Sequence, residues 1–339
     1  MSAARKLAMS LIATTLFLVA LESVLRVTIP ADRLKFSWES DDPTIVIDDH
    51  GGLLIPPNTE RRQHDGTREW VSRTNSIGLR EDAEIPEARP PDSYRMLALG
   101  DSWMFGWSAD QGWSLPAQLE VVLPEKIGGR DVEVINAGVF GTCAFDMLRR
   151  WRQYQDVFEV DALLIGTPHN MTRQQSLMEK RTGWYDAVRG APFIELRLYL
   201  VLRRLIAPYT RPQYPRDDSG ETFQSSVHDL TVLIQEAGER GVDSWFVLMP
   251  TQLTDGVRAR EVNAKKWQEA MAPSGAKFAG HVLAQRSCWG DEDIRHASGA
   301  GYRAIAEVVS DAIAADASDD GMRSEPDCDG LPGYGHGKR

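Results

Sequence analysis

The chain has 339 residues, enough for one large domain with additions or for two small ones. Hydrophobic residues make up 42% and charged residues 26%, near the globular averages, which excludes a collagen-like, wholly disordered or polytopic membrane protein. A net charge of -11 without any long Lys/Arg run argues against a grip on nucleic-acid phosphate, so the expected substrate is neutral or small and nucleic acid is not an expected partner. Three scattered cysteines, Cys143, Cys288 and Cys328, with no CxxC, exclude a disulfide scaffold and a zinc ribbon, and neither metal nor cofactor is expected.

At the amino terminus Arg5 and Lys6 precede an uncharged stretch from Leu7 to Leu21. This is the order of a secretory signal or of an anchor whose N-terminus stays inside. The stretch is short of the roughly 17 to 25 residues of a spanning helix, but the pattern resumes after Glu22 with Val24 and Leu25. A cut after Ala20 would put Leu18 where an A-x-A site needs a small residue, which favours an uncleaved signal anchor over 1–28. Glu22 and Arg26, four apart, can pair on a continuous helix. The expected location is the cell membrane, single-pass, with the body in the periplasm or outside the cell. Export also puts the cysteines in an oxidising space, where Cys288 is expected to pair with Cys328 and leave Cys143 free.

Residues 29–92 mix short β-branched runs with turn signals at Gly51, Gly52, Pro56, Pro57 and Gly66, then become proline-rich around Pro86, Pro90 and Pro91. They read as a small irregular or β extension and linker. From 93 to 317 the texture is that of a single α/β domain. Apolar runs at 94–99, 132–136, 162–166 and 244–249, with a weaker one at 278–282, alternate with helical patterns near 115–122, 145–154, 224–240 and 300–315. Such alternation predicts a mainly parallel sheet of about five strands with helices on both faces, a three-layer sandwich. The stretch FIELRLYLVLRRLIAP at 193–208 suits either a helix on the membrane surface or an insertion helix packed over the sheet with snorkelling arginines. Residues 318–339 read as a disordered tail.

In open parallel sheets ligands bind beyond the carboxyl ends of the strands. The first strand ends in Gly100-Asp101-Ser102, which puts a serine hydroxyl at a strand-to-helix turn near free helix amides; it is a nucleophile's position, though an ordinary helix cap has the same letters. The second ends in Asn136-Ala137-Gly138-Val139-Phe140-Gly141, where Gly138 or Gly141 can turn a backbone amide to an oxyanion. Beyond the third lies Asn170, a further donor; Asn170-Met171-Thr172 also matches a glycosylation sequon, which a buried catalytic role would exclude. Near the carboxyl end Asp293 and His296 are spaced so that one turn can supply a base and the carboxylate that orients it. Trp103, Trp107 and Trp113 come soon after the serine, as packing residues or as stacking surfaces for a sugar.

The set GDS (100–102), NAGVFG (136–141), a strand followed by Asn170, and DIRHASGAGY (293–302) resembles the SGNH hydrolases, also called GDSL esterases and lipases, over about Tyr94 to Ala315. NSIGLR at 75–80 looks like the extension of membrane-anchored bacterial members. The resemblance implies a flavodoxin-like SGNH fold. It implies Ser102 as nucleophile, Asp293 and His296 as the rest of a triad, and an oxyanion hole of the Ser102 amide, Gly141 and Asn170. The third block departs from the family pattern, reading GTPHNM where GxND is usual. The activity implied is cleavage of carboxylic esters, of a small molecule or of O-acyl groups on an envelope glycan or lipid. Alternatives are an O-acyltransferase acting on a cell-surface polysaccharide, a catalytically silent glycan-binding or scaffold module, and a flavodoxin-like nucleotide binder, against which stands the absence of GxxxxGK[ST] and GxGxxG after the first strand.

Overall fold

The computed structural model describes residues 2–30, 45–47, 53–64, 69–167, 196–210, 220–249, 257–281 and 296–315. In chain order the elements begin with α1 (Ala3–Thr28), β1 (Val46–Ile47), β2 (Leu53–Leu54), β3 (Glu60–His64), β4 (Glu69–Arg73), β5 (Tyr94–Leu99), α2 (Ser102–Phe105), α3 (Leu115–Lys126) and β6 (Val132–Asn136). They continue with α4 (Ala144–Tyr154), β7 (Ala162–Thr167), α5 (Arg197–Thr210), α6 (Gly220–Glu239), β8 (Asp243–Leu248), α7 (Val257–Met271), β9 (Lys277–His281) and α8 (Gly299–Ala314). Two units result, one of Met1–Gly51 with Ser176–Arg216, the other of Gly52–Gln175 with Asp217–Arg339.

In the first unit α1 runs 26 residues with no buried side chain, roughly 39 Å at 1.5 Å per residue, so by length and composition it can cross a bilayer. Several polar side chains in its last two turns bond within the helix. Ser23 and Thr28 donate to the Val19 and Val24 carbonyls at 2.8 Å, and Arg26 pairs with Glu22 at 2.7 Å. The same composition and length would serve a signal sequence.

The second unit is built on five parallel strands in the order β6-β5-β7-β8-β9. Because side chains alternate along a strand, Met96 and Ala98 of β5 face one layer while Leu97 and Leu99 face the other. The first set joins Leu119, Leu123, Tyr302, Ile305 and Val309 of α3 and α8. The second joins Met147 and Trp151 of α4, Leu230 and Leu233 of α6, and Trp267 of α7. These strands bury both faces, which is why they read in the sequence as continuous apolar runs rather than alternating ones.

β6 is an edge strand, and its outward amides are covered by carboxylates: Val134 N–H donates to Glu120 at 2.9 Å and Asn136 N–H to Glu81 at 2.7 Å. Burial is the main force pushing both acids up, Glu81 to about 8 and Glu120 to about 7. A carboxyl raised in the folded state holds a proton that the unfolded chain has released. Its contribution is therefore whole below the unfolded value near 4.5 and is lost as pH rises through about 8. Stability of Glu81→Gln, monitored by denaturant titration, should fall less steeply than that of the parent between about pH 5 and 8; equal slopes would remove Glu81 as the source.

The segment 52–92 belongs to this unit. β3 and β4 pair antiparallel from Glu60 with Arg73 to His64 with Glu69. β4 lies along the loop after α2, its Val71 and Arg73 amides donating to Asp110 and Gln111 at 2.9 and 2.8 Å. The proline-rich stretch is fastened by the buried Arg95 guanidinium, which donates to the carbonyls of Pro86, Glu87 and Ala88.

Candidate active site

The chain leaves β5 through Gly100 and enters α2 at once. Asp101 caps that helix, its carboxylate accepting from the Trp103 amide at 2.9 Å, so Ser102 becomes the first helical residue, at the carboxyl edge of the sheet. Its hydroxyl oxygen lies 2.8 Å from His296 Nε2, within the range for direct proton transfer, although the two residues are 194 positions apart.

His296 is held in place by the start of α8. Ser298 caps that helix, accepting from the Gly301 amide at 3.2 Å, and Tyr302, buried one turn on, donates its hydroxyl to the Trp107 carbonyl at 3.0 Å. The start of α8 is thereby tied to the chain just beyond α2. The imidazole is near two indoles, its centroid 5.7 Å from that of Trp103 and 6.2 Å from that of Trp107. Trp103 is core, whereas Trp107 is half-buried and continues into Phe140 at 5.0 Å and Trp70 at 5.5 Å, an aromatic wall beside the histidine.

The loop after β6 has two glycines with different tasks. The Gly138 amide donates to the Asn136 side chain at 3.1 Å, and a Cβ on Gly138 would fall 2.3 Å from the Phe105 nitrogen, so this glycine exists to let the loop pack on α2. Gly141 has φ +84°, a conformation that strains any L side chain, and is half-buried. Among the described residues nothing accepts from the Gly141 amide, whereas the Gly138 amide is occupied. The loop is latched to the turn before Ser102 by Val139 N–H and Thr142 Oγ1, which donate to the Gly100 carbonyl at 3.0 and 3.1 Å.

Ser102, Gly141 and His296 are therefore carried by three loops at one edge of one sheet. Asn170 and Asp293 lie outside the described residues, as do Cys288, Cys328 and the 318–339 tail. Cys143 is a buried free thiol whose pKa burial pushes up to about 12, which leaves it inert.

Arg80, in the NSIGLR segment, has a part that strand-end reasoning does not reach. Its buried guanidinium donates to the Phe105, Gly106 and Ala109 carbonyls, each at 2.6 Å, and stacks 4.8 Å from the Phe105 ring. α2 is a single turn, and its last carbonyls have no partners further along a helix; Arg80 supplies them. Asn136 Nδ2 adds a second donor to the Phe105 carbonyl at 3.3 Å.

No protein-family model and no curated protein sequence matches the chain. Among solved structures it is similar to TesA, at 15% identity and TM-score 0.43 over 65% of this chain and 98% of that one. It is also similar to the psychrotrophic esterase EstA from Pseudoalteromonas sp., at 15% and 0.42 over 65% and 97%. A third is a lipase/acylhydrolase from Enterococcus faecalis, at 16% and 0.43 over 66% and 96%.

Proposed function

We propose that this chain is an SGNH-type serine ester hydrolase that cleaves carboxylic esters through an acyl-enzyme on Ser102. The observation that carries the reading is the 2.8 Å approach of His296 Nε2 to a serine hydroxyl at the first turn of a helix. His296 takes the Ser102 proton as the oxygen attacks the ester carbonyl, then gives that proton to the departing alcohol. Water, activated by the same imidazole, releases the acid and restores the serine. Negative charge on the tetrahedral oxygen falls to the Ser102 and Gly141 amides and the Asn170 side chain. The part of fixing the imidazole tautomer is assigned to Asp293. With α1 as anchor and the second unit in the periplasm or outside the cell, the esters within reach are O-acyl groups of envelope glycans or lipids. The charge of -11 disfavours polyanionic ones.

The test is hydrolysis of p-nitrophenyl acetate and p-nitrophenyl palmitate by the full chain in detergent, with free acid and nitrophenol both quantified. Release of both products in equal amounts is the expected result. No release from either ester, by protein with a cooperative melting transition, would overturn the assignment. Nitrophenol accompanied by an acylated added sugar in place of free acid would instead mark a transferase.

A further inference from the structure

Helix α5 is not used by the proposed chemistry, yet its first turn is bound to the apolar helix. Glu22 of α1 accepts from the backbone amides of Arg197 at 3.0 Å and Leu198 at 2.9 Å, satisfying two of the donors that a helix start leaves open. Arg197 Nε returns a bond to the Ile29 carbonyl at 3.1 Å. Glu22 is the first charged residue after the Leu7–Leu21 stretch, so α5 begins at the level where α1 ceases to be purely apolar.

From that point α5 reads RLYLVLRRLIAPYT, three arginines and no acidic residue, in a chain whose net charge is -11. Leu198, Leu202 and Leu205 share one helical face at i, i+4 and i+7. Leu202 is 47% and Leu205 63% exposed, next to a helix whose Leu7, Leu11, Leu16 and Leu18 are exposed as well. A basic helix with bare leucines, fixed by its first turn to the end of a bilayer-length helix, has the make-up of an interfacial segment. Its surplus of positive charge complements anionic headgroups.

We propose that α5 lies in the headgroup layer of an anionic phospholipid bilayer, with its Leu202 and Leu205 face toward the acyl chains and Glu22 setting its depth. This rests on the reading of α1 as a membrane anchor. Apolar surface left bare in the unit is then covered by lipid.

The full chain with Cys288→Ser and Cys328→Ser, its remaining Cys143 buried, is labelled with an environment-sensitive fluorophore at Leu205→Cys, Leu16→Cys or Gln224→Cys, the last an exposed position on α6. Each protein is reconstituted in phosphatidylglycerol/phosphatidylcholine vesicles with or without lipid carrying a shallow doxyl quencher. The expected result is at least a twofold loss of emission at 205 and none at 224, with the loss at 205 reduced in pure phosphatidylcholine and by Glu22→Gln. Quenching at 16 with 205 as bright as 224 would overturn the proposal and leave the anchor standing. No quenching at 16 would overturn the anchor and the proposal together. Equal quenching at 205 in both lipids would overturn the requirement for anionic headgroups.

Discussion

Ser102→Ala should lower kcat for ester hydrolysis by about 10⁶-fold, leaving only the background supplied by binding and oxyanion donors. The effect is large because the proposed mechanism makes Ser102 Oγ the bond-forming atom, and neither Asp101 nor Cys143, its neighbours among the described residues, can replace it. Asp101 is held at the helix cap by the Trp103 amide, and Cys143 is buried with a raised pKa. The fold should not register the change. The cap on α2 is the Asp101 carboxylate, and the hydroxyl's hydrogen-bond partner is His296 at 2.8 Å on a half-buried surface. Steady-state kinetics and a melting curve on the same preparation check both halves. Retention of more than about a hundredth of the parent rate would take Ser102 out of the reaction, whereas a lost rate with a lost melting transition would assign the serine a structural part.

The sheet was legible because its strands are buried on both faces. Runs such as Met96-Leu97-Ala98-Leu99 and Leu163-Leu164-Ile165 have no reading on a one-sided surface, and even the weak fifth run falls on β9, one residue from its expected position. α7 escaped notice because its buried residues Ala264, Trp267 and Met271 are diluted by Lys265, Lys266 and Glu269, so the stripe is thin. β3 and β4 escaped because Glu60-Arg61-Arg62-Gln63-His64 has almost no apolar content. Cross-strand charges support that pair instead, Arg73 with Glu60 at 2.8 Å and Arg62 with Glu69 at 3.4 Å.

In the candidate site, Ser102 and His296 could be found from motif order because each stands at a helix start with letters of its own. The distinction between Gly138 and Gly141 arises in space from the Asn136 side chain, which occupies one amide and not the other. No spacing in the sequence announces Arg80. It acts through backbone carbonyls 25 to 29 positions downstream, and carbonyls have no letter. Composition assigns residues 29–92 to an extension, yet this one side chain reaches under α2.

Arg80→Ala should accordingly be among the most damaging single changes outside the reacting residues. Burial lowers the guanidinium pKa to about 10, still well above neutrality, so a positive charge sits at the carboxyl end of α2, where the helix dipole and three carbonyl oxygens favour it. Truncation strands the Ala109 oxygen at about 1 to 3 kcal/mol, leaves the Phe105 and Gly106 oxygens only the longer bonds from Asn136 Nδ2 and the Ala109 amide at 3.3 and 3.2 Å, and opens a cavity under Phe105. The expected loss is on the order of 4 to 6 kcal/mol, against a total stability of about 5 to 15 kcal/mol for a typical domain. Lysine keeps the charge but not the planar fork, so Arg80→Lys should recover roughly half of the loss. Below the melting transition the same pair of variants tests whether Arg80 positions the nucleophile. A displacement of α2 by about 1 Å moves the Ser102 oxygen away from His296 and costs up to about 10² in rate. kcat should therefore fall with KM unchanged, and partly return in Arg80→Lys. A fully active Arg80→Ala enzyme at low temperature, destabilised as expected, would confine Arg80 to stability; an unchanged melting curve would contradict the three carbonyl bonds themselves.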